Sequence, residues 1–104
     1  KGLNLAGTSN QPITAASAGK VIYSGTDVRG TGRLIIIKHN SNLLSVYAHQ
    51  GTALVKEGVF VSAGDKLATL PANGSPQALS LHFEIRLKGK PVDPATYLPA
   101  MPTK

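Results

Sequence analysis

Residues 80–87 read Ser-Leu-His-Phe-Glu-Ile-Arg-Leu, and so strict an alternation of polar with apolar side chains fits a strand with one face in a core. Ser80, His82, Glu84 and Arg86 fall on one face, while Leu81, Phe83, Ile85 and Leu87 fall on the other. The apolar row requires a core beneath it, so the polar row lines solvent or a groove. That polar row carries an imidazole flanked by a hydroxyl and a carboxylate, which is part of what a metal site needs. A tetrahedral zinc centre takes at least three protein ligands, and this strand offers one good imidazole.

The remainder of the chain follows the same period. Short apolar runs separated by Gly-, Asn- or Asp-containing turns recur about every 10 residues, and no window sustains a 3.6-residue period, so the expected fold class is all-β. Strands are expected at Pro12 to Ala15, Gly19 to Gly25, Arg33 to His39, Leu43 to His49, Val59 to Val61, Lys66 to Leu70 and Leu81 to Leu87. Turns are expected at Asn40-Ser41-Asn42, Ala63-Gly64-Asp65 and Lys88-Gly89-Lys90, where the residue types tolerate left-handed backbone. Leu34-Ile35-Ile36-Ile37 is apolar on both faces and reads as a central strand covered on both sides. Arg29-Gly30-Thr31-Gly32 precedes a strand rather than a helix, so it reads as a turn and not as a phosphate cradle. Pro71 to Ala78 reads as a flexible loop able to cap a groove above His82. The Pro-dotted tail from Pro91 to Pro102 is expected to hold no periodic element and to wrap the body through Val92, Tyr97 and Leu98.

Length and composition narrow the function classes. The 104 residues make one domain, residues 1–104, large enough to bury a core without staples. There is no cysteine, which excludes thiolate zinc sites, cysteine nucleophiles and disulfides. No apolar run approaches the ~20 residues of a membrane span, and no charged and apolar leader opens the chain. Lys1-Gly2-Leu3-Asn4-Leu5-Ala6-Gly7 reads as the interior of a folded segment, so the expectation is one domain, the C-terminal part of a larger envelope protein. The net charge of +6, from 11 basic and 5 acidic residues, favours a polyanionic partner. The basic residues are scattered and the aromatics few, so nucleic acid is not the expected one.

Along Leu43 to His49 the period of two places Tyr47 and His49 on one face, with His49 at the strand end, where it could share a groove with His82. The order Gly2-x-Asn4, then Tyr47-Ala48-His49, then Ser80-x-His82-Phe83-Glu84 resembles the lysostaphin-type (LytM) zinc endopeptidase domain, which cuts peptidoglycan cross-bridges. Gly19-Lys20-Val21, Val61-x-x-Gly64-Asp65 and Val92-Asp93-Pro94 extend the likeness over nearly the whole chain. It implies a small antiparallel β-sheet domain of the barrel-sandwich kind. Active members carry H-x-G-x-D, Tyr-x-His and H-x-H; the first His, the Asp and the last His hold zinc, and the other two histidines serve catalysis. Carried over, Asn4 stands where the ligating aspartate belongs, His82 matches the last ligand, His49 matches Tyr-x-His, and Ser80 stands where a catalytic histidine belongs. The first motif's histidine would precede Lys1.

An amide oxygen is a poorer zinc ligand than a carboxylate, and a serine hydroxyl is no general base near neutral pH. The expectation is therefore no metal, with Asn4 and His82 as vestigial ligand positions, no catalytic residue, with His49 and Ser80 as vestigial ones, and no cofactor. Phe83-Glu84-Ile85-Arg86 with Lys88-Gly89-Lys90, and the run from Arg29 to Asn40, resemble the amidase-activating branch of the family. The resemblance implies a non-enzymatic activator of N-acetylmuramoyl-L-alanine amidases at cell division. Its amidase-binding groove would be lined by Asn4, Tyr47, His49, Ser80, His82, Glu84 and Arg86, with peptidoglycan as a second ligand. It also implies a monomeric domain in the periplasm of a Gram-negative bacterium, held at the outer membrane through a lipid anchor on its parent. The alternative is a weakly active zinc peptidoglycan endopeptidase. A biotinyl- or lipoyl-type carrier, suggested by Gly58 to Ala68, lacks a lysine beside Met at a hairpin tip, since the single Met is Met101.

Overall fold

The computed structural model describes residues 2–27 and 32–94. Arg29-Gly30-Thr31, Tyr97, Leu98 and Met101 lie outside the described residues. Among the described residues the elements are β1 (Leu3–Ala6), β2 (Pro12–Thr14), β3 (Gly19–Thr26), β4 (Arg33–Lys38), β5 (Leu43–His49), β6 (Thr52–Ala53), β7 (Phe60–Val61), β8 (Lys66–Thr69), β9 (Ser80–Leu87) and β10 (Lys90–Val92). The larger sheet runs β1-β9-β5-β4-β3-β7, with β10 also on β9, and the smaller runs β2-β8-β6. Every pairing is antiparallel.

Side chains from both sheets meet in one core, with Val21, Ile35, Ile37, Tyr47, Leu81, Phe83 and Ile85 from the larger sheet against Ile13, Leu67 and Ala68 from the smaller. This is the expected all-β sandwich, and alternation delivers it: each core residue of β9 is separated from the next by one groove-face residue. The ring of Tyr47 packs against Phe83 with centroids 5.4 Å apart, which joins β5 to β9 at the centre of the sheet.

Several expectations change. Leu34 and Ile36 are only half-buried while Ile35 and Ile37 are fully buried, so β4 is central but not equally covered on both faces. Leu87, expected in the core row, is 40 % exposed because it ends β9 beside the hairpin. That hairpin is a two-residue turn with Lys88 at φ 53° and Gly89 at φ 79°, the paired positive φ that lets a tight turn follow the twist of its strands. It returns the chain as β10, so Lys90–Val92 form a strand in place of the expected end of the turn at Lys90 and an aperiodic tail from Pro91. The short strands β1 and β6 were not expected either; each is defined by its partner, β9 for β1 and β8 for β6.

The outer edge of β9 is divided between two strands. β1 covers it from Ser80 to Phe83 and β10 from Ile85 to Leu87, so the two ends of the described chain meet at Glu84.

Candidate functional site

Register decides what shares a face with His82. Asn4 on β1 and Ala48 on β5 both pair with His82, and Leu34 on β4 pairs with Ala48. Directly opposed residues project to the same side of an antiparallel sheet, so this row lies on the groove face. Tyr47 pairs with Phe83 and Ile35 and faces the core.

On the groove face four side chains form a relay. His82 Nδ1 lies 2.8 Å from Asn4 Oδ1, and His82 Nε2 lies 2.8 Å from Glu84 Oε2. Arg86 donates to Glu84 Oε1 from Nη2 at 3.0 Å and from Nε at 3.3 Å. Partial burial pushes the Glu84 carboxyl up, but the hydrogen bonds from His82 and Arg86, with their charges, outweigh it and hold the group below its ordinary value. The backbone of Gly2 runs directly over the relay: a Cβ there would stand 2.8 Å from both His82 Nε2 and Glu84 Cγ. A side chain at position 2 would therefore displace the ring.

Ser80 begins the strand, and its hydroxyl donates to Gln77 O at 2.7 Å. With Gly7 N–H donating to Leu79 O, this pins the end of the 71–79 loop beside the relay. Between Ser80, His82 and Gln77 on one side and Asp27, Arg33 and Gln50 on the other lies an open depression of about 160 Å³, to which Gly32, Ala48 and His49 also contribute.

His49 stands at the edge of this depression but in the same row of β5 as Tyr47, and it is 3 % exposed. Its Nδ1 accepts from Gly51 N–H at 3.0 Å, while Nε2 is buried and has no hydrogen-bond partner among the described residues. Burial, and then the positive charge of Arg33, lower its pKa to about 4, so the ring is neutral at pH 7.

Tyr47 is corrected outright as a groove residue. It is fully buried, because the register sets β5 one residue out of phase with the placement that would turn it toward His82. Its hydroxyl has structural work: Ala16 N–H donates to Tyr47 Oη at 2.9 Å, and Ser45 Oγ lies 2.8 Å from Tyr47 Oη and 2.7 Å from His39 Nε2. His39 Nδ1 in turn lies 2.7 Å from Ala18 O, so this chain fastens β5 to the 15–18 loop.

Tyr23 is a groove-face residue that alternation misses. A bulge between Val21 and Tyr23 shifts the register so that Tyr23 pairs with Ile36, which moves it from the side of Val21 to that of His82. Its ring lies against Gly25, and its hydroxyl donates to Thr26 O at 2.7 Å. The exposed Ile22 at the bulge is the only local sign of it.

These features define a class: a small antiparallel β-sandwich with a polar depression and a histidine relay on one face of its larger sheet. The family model described as peptidase family M23 matches residues 1–94, and the chain belongs to that family. It is 52 % identical over 99 residues to the murein hydrolase activator NlpD of Escherichia coli K12, a match covering 95 % of this chain and 26 % of that protein. It is 48 % identical over 99 residues to outer membrane antigenic lipoprotein B of Haemophilus influenzae, covering 95 % of this chain and 24 % of that one. Among solved structures it superposes on lysostaphin from Staphylococcus simulans with a TM-score of 0.79 at 26 % identity, covering 93 % of this chain and 42 % of that one. The chain thus spans about a quarter of the length of these curated relatives.

The zinc that the likeness to active endopeptidases implies does not fit the residues present. Zinc binds a histidine through a nitrogen lone pair and favours anionic oxygen or sulfur beside it. Here both nitrogens of His82 are engaged, the residue across from it is a neutral amide, and the Ser80 hydroxyl is turned to a backbone carbonyl. Among the described residues no three His, Cys, Asp or Glu side chains converge to hold a metal.

Proposed function

We propose that this domain is a non-catalytic activator of N-acetylmuramoyl-L-alanine amidases in the splitting of peptidoglycan at cell division. Its binding groove is the face carrying Asn4, Ser80, His82, Glu84 and Arg86, with His49 and Tyr23 at its borders. The observation that carries this reading is the Asn4–His82–Glu84–Arg86 relay, which spends on internal hydrogen bonds the groups a zinc peptidase would spend on metal. The 52 % identity to a protein named murein hydrolase activator supports the same reading, as does the lipoprotein name of the Haemophilus relative for an outer-membrane-anchored parent in the periplasm. Monomeric binding to the amidase, with peptidoglycan as a second ligand, completes the proposal. The test is dye release from labelled peptidoglycan by purified amidase with and without the domain. Stimulation by a domain that releases no dye alone is the expected result; release by the domain alone, abolished by a chelator, would establish the peptidase alternative.

A further inference from the structure

The groove face extends past the relay. Cross-strand pairs Phe60–Lys20, Lys20–Lys38, Lys38–Leu44 and Leu44–Arg86 align five side chains across β7, β3, β4, β5 and β9. At 4.7–4.9 Å between strands this row is roughly 20 Å long, and it lies about 13 Å along β9 from His82. Between the two, Tyr23, Ile36, Val46 and Glu84 form a middle row that is largely apolar.

The composition of the row is unfavourable for folding alone. Lys20 and Lys38 are directly opposed, an arrangement of like charges that destabilises a sheet, and neither makes an ion pair among the described residues. Glu84, the one carboxylate in these rows, is already shared by His82 and Arg86. Phe60 is 75 % exposed, more than any other large apolar side chain among the described residues, and the Lys20 ammonium lies 5.7 Å from its ring centroid. Three cations and an uncovered aromatic ring thus form one open strip, continuous with the groove through an apolar floor.

We infer that this strip is a docking site for an acidic segment of the partner protein, carrying at least two carboxylates for Lys20 and Lys38 and an apolar side chain that covers Phe60. The inference rests on the amidase-activator reading and gives the chemistry of the second half of its contact. Charge complementarity and continuity with the groove carry it, since a partner lying over His82 and the apolar floor reaches the strip without leaving the sheet.

The test compares Lys20→Glu/Lys38→Glu, Phe60→Ser and His82→Glu with the wild-type domain for amidase affinity across ionic strength and for amidase stimulation. The double reversal is expected to weaken binding about tenfold or more at 0.1 M salt and to flatten the salt dependence. Phe60→Ser is expected to raise the dissociation rate. Melting of the double reversal should change little, because one opposed pair of like charges replaces another. Unchanged affinity and salt dependence in the double reversal, with stimulation still lost in His82→Glu, would overturn the strip and leave the activator reading standing. If the wild-type domain binds no amidase, that reading fails, and titration with a synthetic Glu-rich peptide containing Phe decides the strip: amide shifts at Lys20, Lys38 and Phe60 uphold it, and shifts elsewhere or none overturn it. Sedimentation with phosphatidylglycerol vesicles, lost in the double reversal while amidase affinity is unchanged, would assign the strip to a membrane and overturn the proposal.

Discussion

Burial of a neutral imidazole at the end of β5 links stability to pH. The pKa of His49 is lowered from 6.5 to about 4, so between those values the unfolded chain binds a proton that the folded chain excludes. Stability therefore rises with pH from about 4 to about 6.5 and is level above for this group. The contribution is on the order of 3 kcal/mol, at about 1.4 kcal/mol per pH unit. Glu84 acts in the same direction but lower in pH: its depressed pKa supplies stability that is present above its unfolded value and lost as pH falls through its folded-state value. Urea denaturation of His49→Gln at pH 4.5 and 7 is expected to show a smaller difference between the two pH values than the wild type; an equal difference would remove His49 from the effect. At the relay, His82→Glu is expected to abolish amidase stimulation while the domain stays folded, because the side chain is 39 % exposed and no core contact is lost, with a modest fall in melting from the second carboxylate beside Glu84. Much of the relay was legible, since alternation alone puts Ser80, His82, Glu84 and Arg86 together. The error at Tyr47 has a definite cause. Alternation fixes the faces within one strand and is silent on the phase between two, which the pairing of Ala48 with His82 sets.

At the level of elements, the long strands were legible because each carries its own apolar period, and the short ones were not because their partners define them. Four residues such as Leu3–Ala6 have too few alternations to announce a strand, and the bulge that turns Tyr23 over leaves almost no trace in composition. The link from Ala16 through Tyr47 and Ser45 to His39 is likewise invisible in sequence, as its members lie up to 31 residues apart. It gives a prediction for β5. Tyr47→Phe leaves the ring contact with Phe83 in place but removes the acceptor for Ala16 N–H, and an unsatisfied buried donor costs about 1–3 kcal/mol. Equilibrium denaturation should show that loss, with the relay face still able to stimulate an amidase. Stability unchanged within error would mean that the 15–18 loop finds another acceptor.

For the whole molecule, the sandwich holds itself together by apolar burial between two sheets, with no described cluster of metal ligands contributing. A structural zinc contributes on the order of 10 kcal/mol where one is present, so a chelator is a sensitive probe. The melting temperature is expected to be the same with and without EDTA, and stoichiometric zinc in elemental analysis after dialysis would contradict this. The net charge of +6 was readable at once, but its distribution was not. The residues that make the cationic row are far apart in the chain, at 20, 38 and 86, and only the register of four strands gathers them.

The division of β9 between β1 and β10 has a mechanical meaning. Gly2 lies on the relay and Val92 pairs with Ile85 next to Glu84, so any segment joined before the one or beyond the other is tethered beside the groove. For such a tether, linker length sets the local concentration of whatever it carries, falling as the linker grows beyond the span it must cross. Tension applied at the ends would be borne first by the Leu3–Phe83 and Val92–Ile85 pairs that flank Glu84, which places the load beside the relay rather than at the far side of the domain.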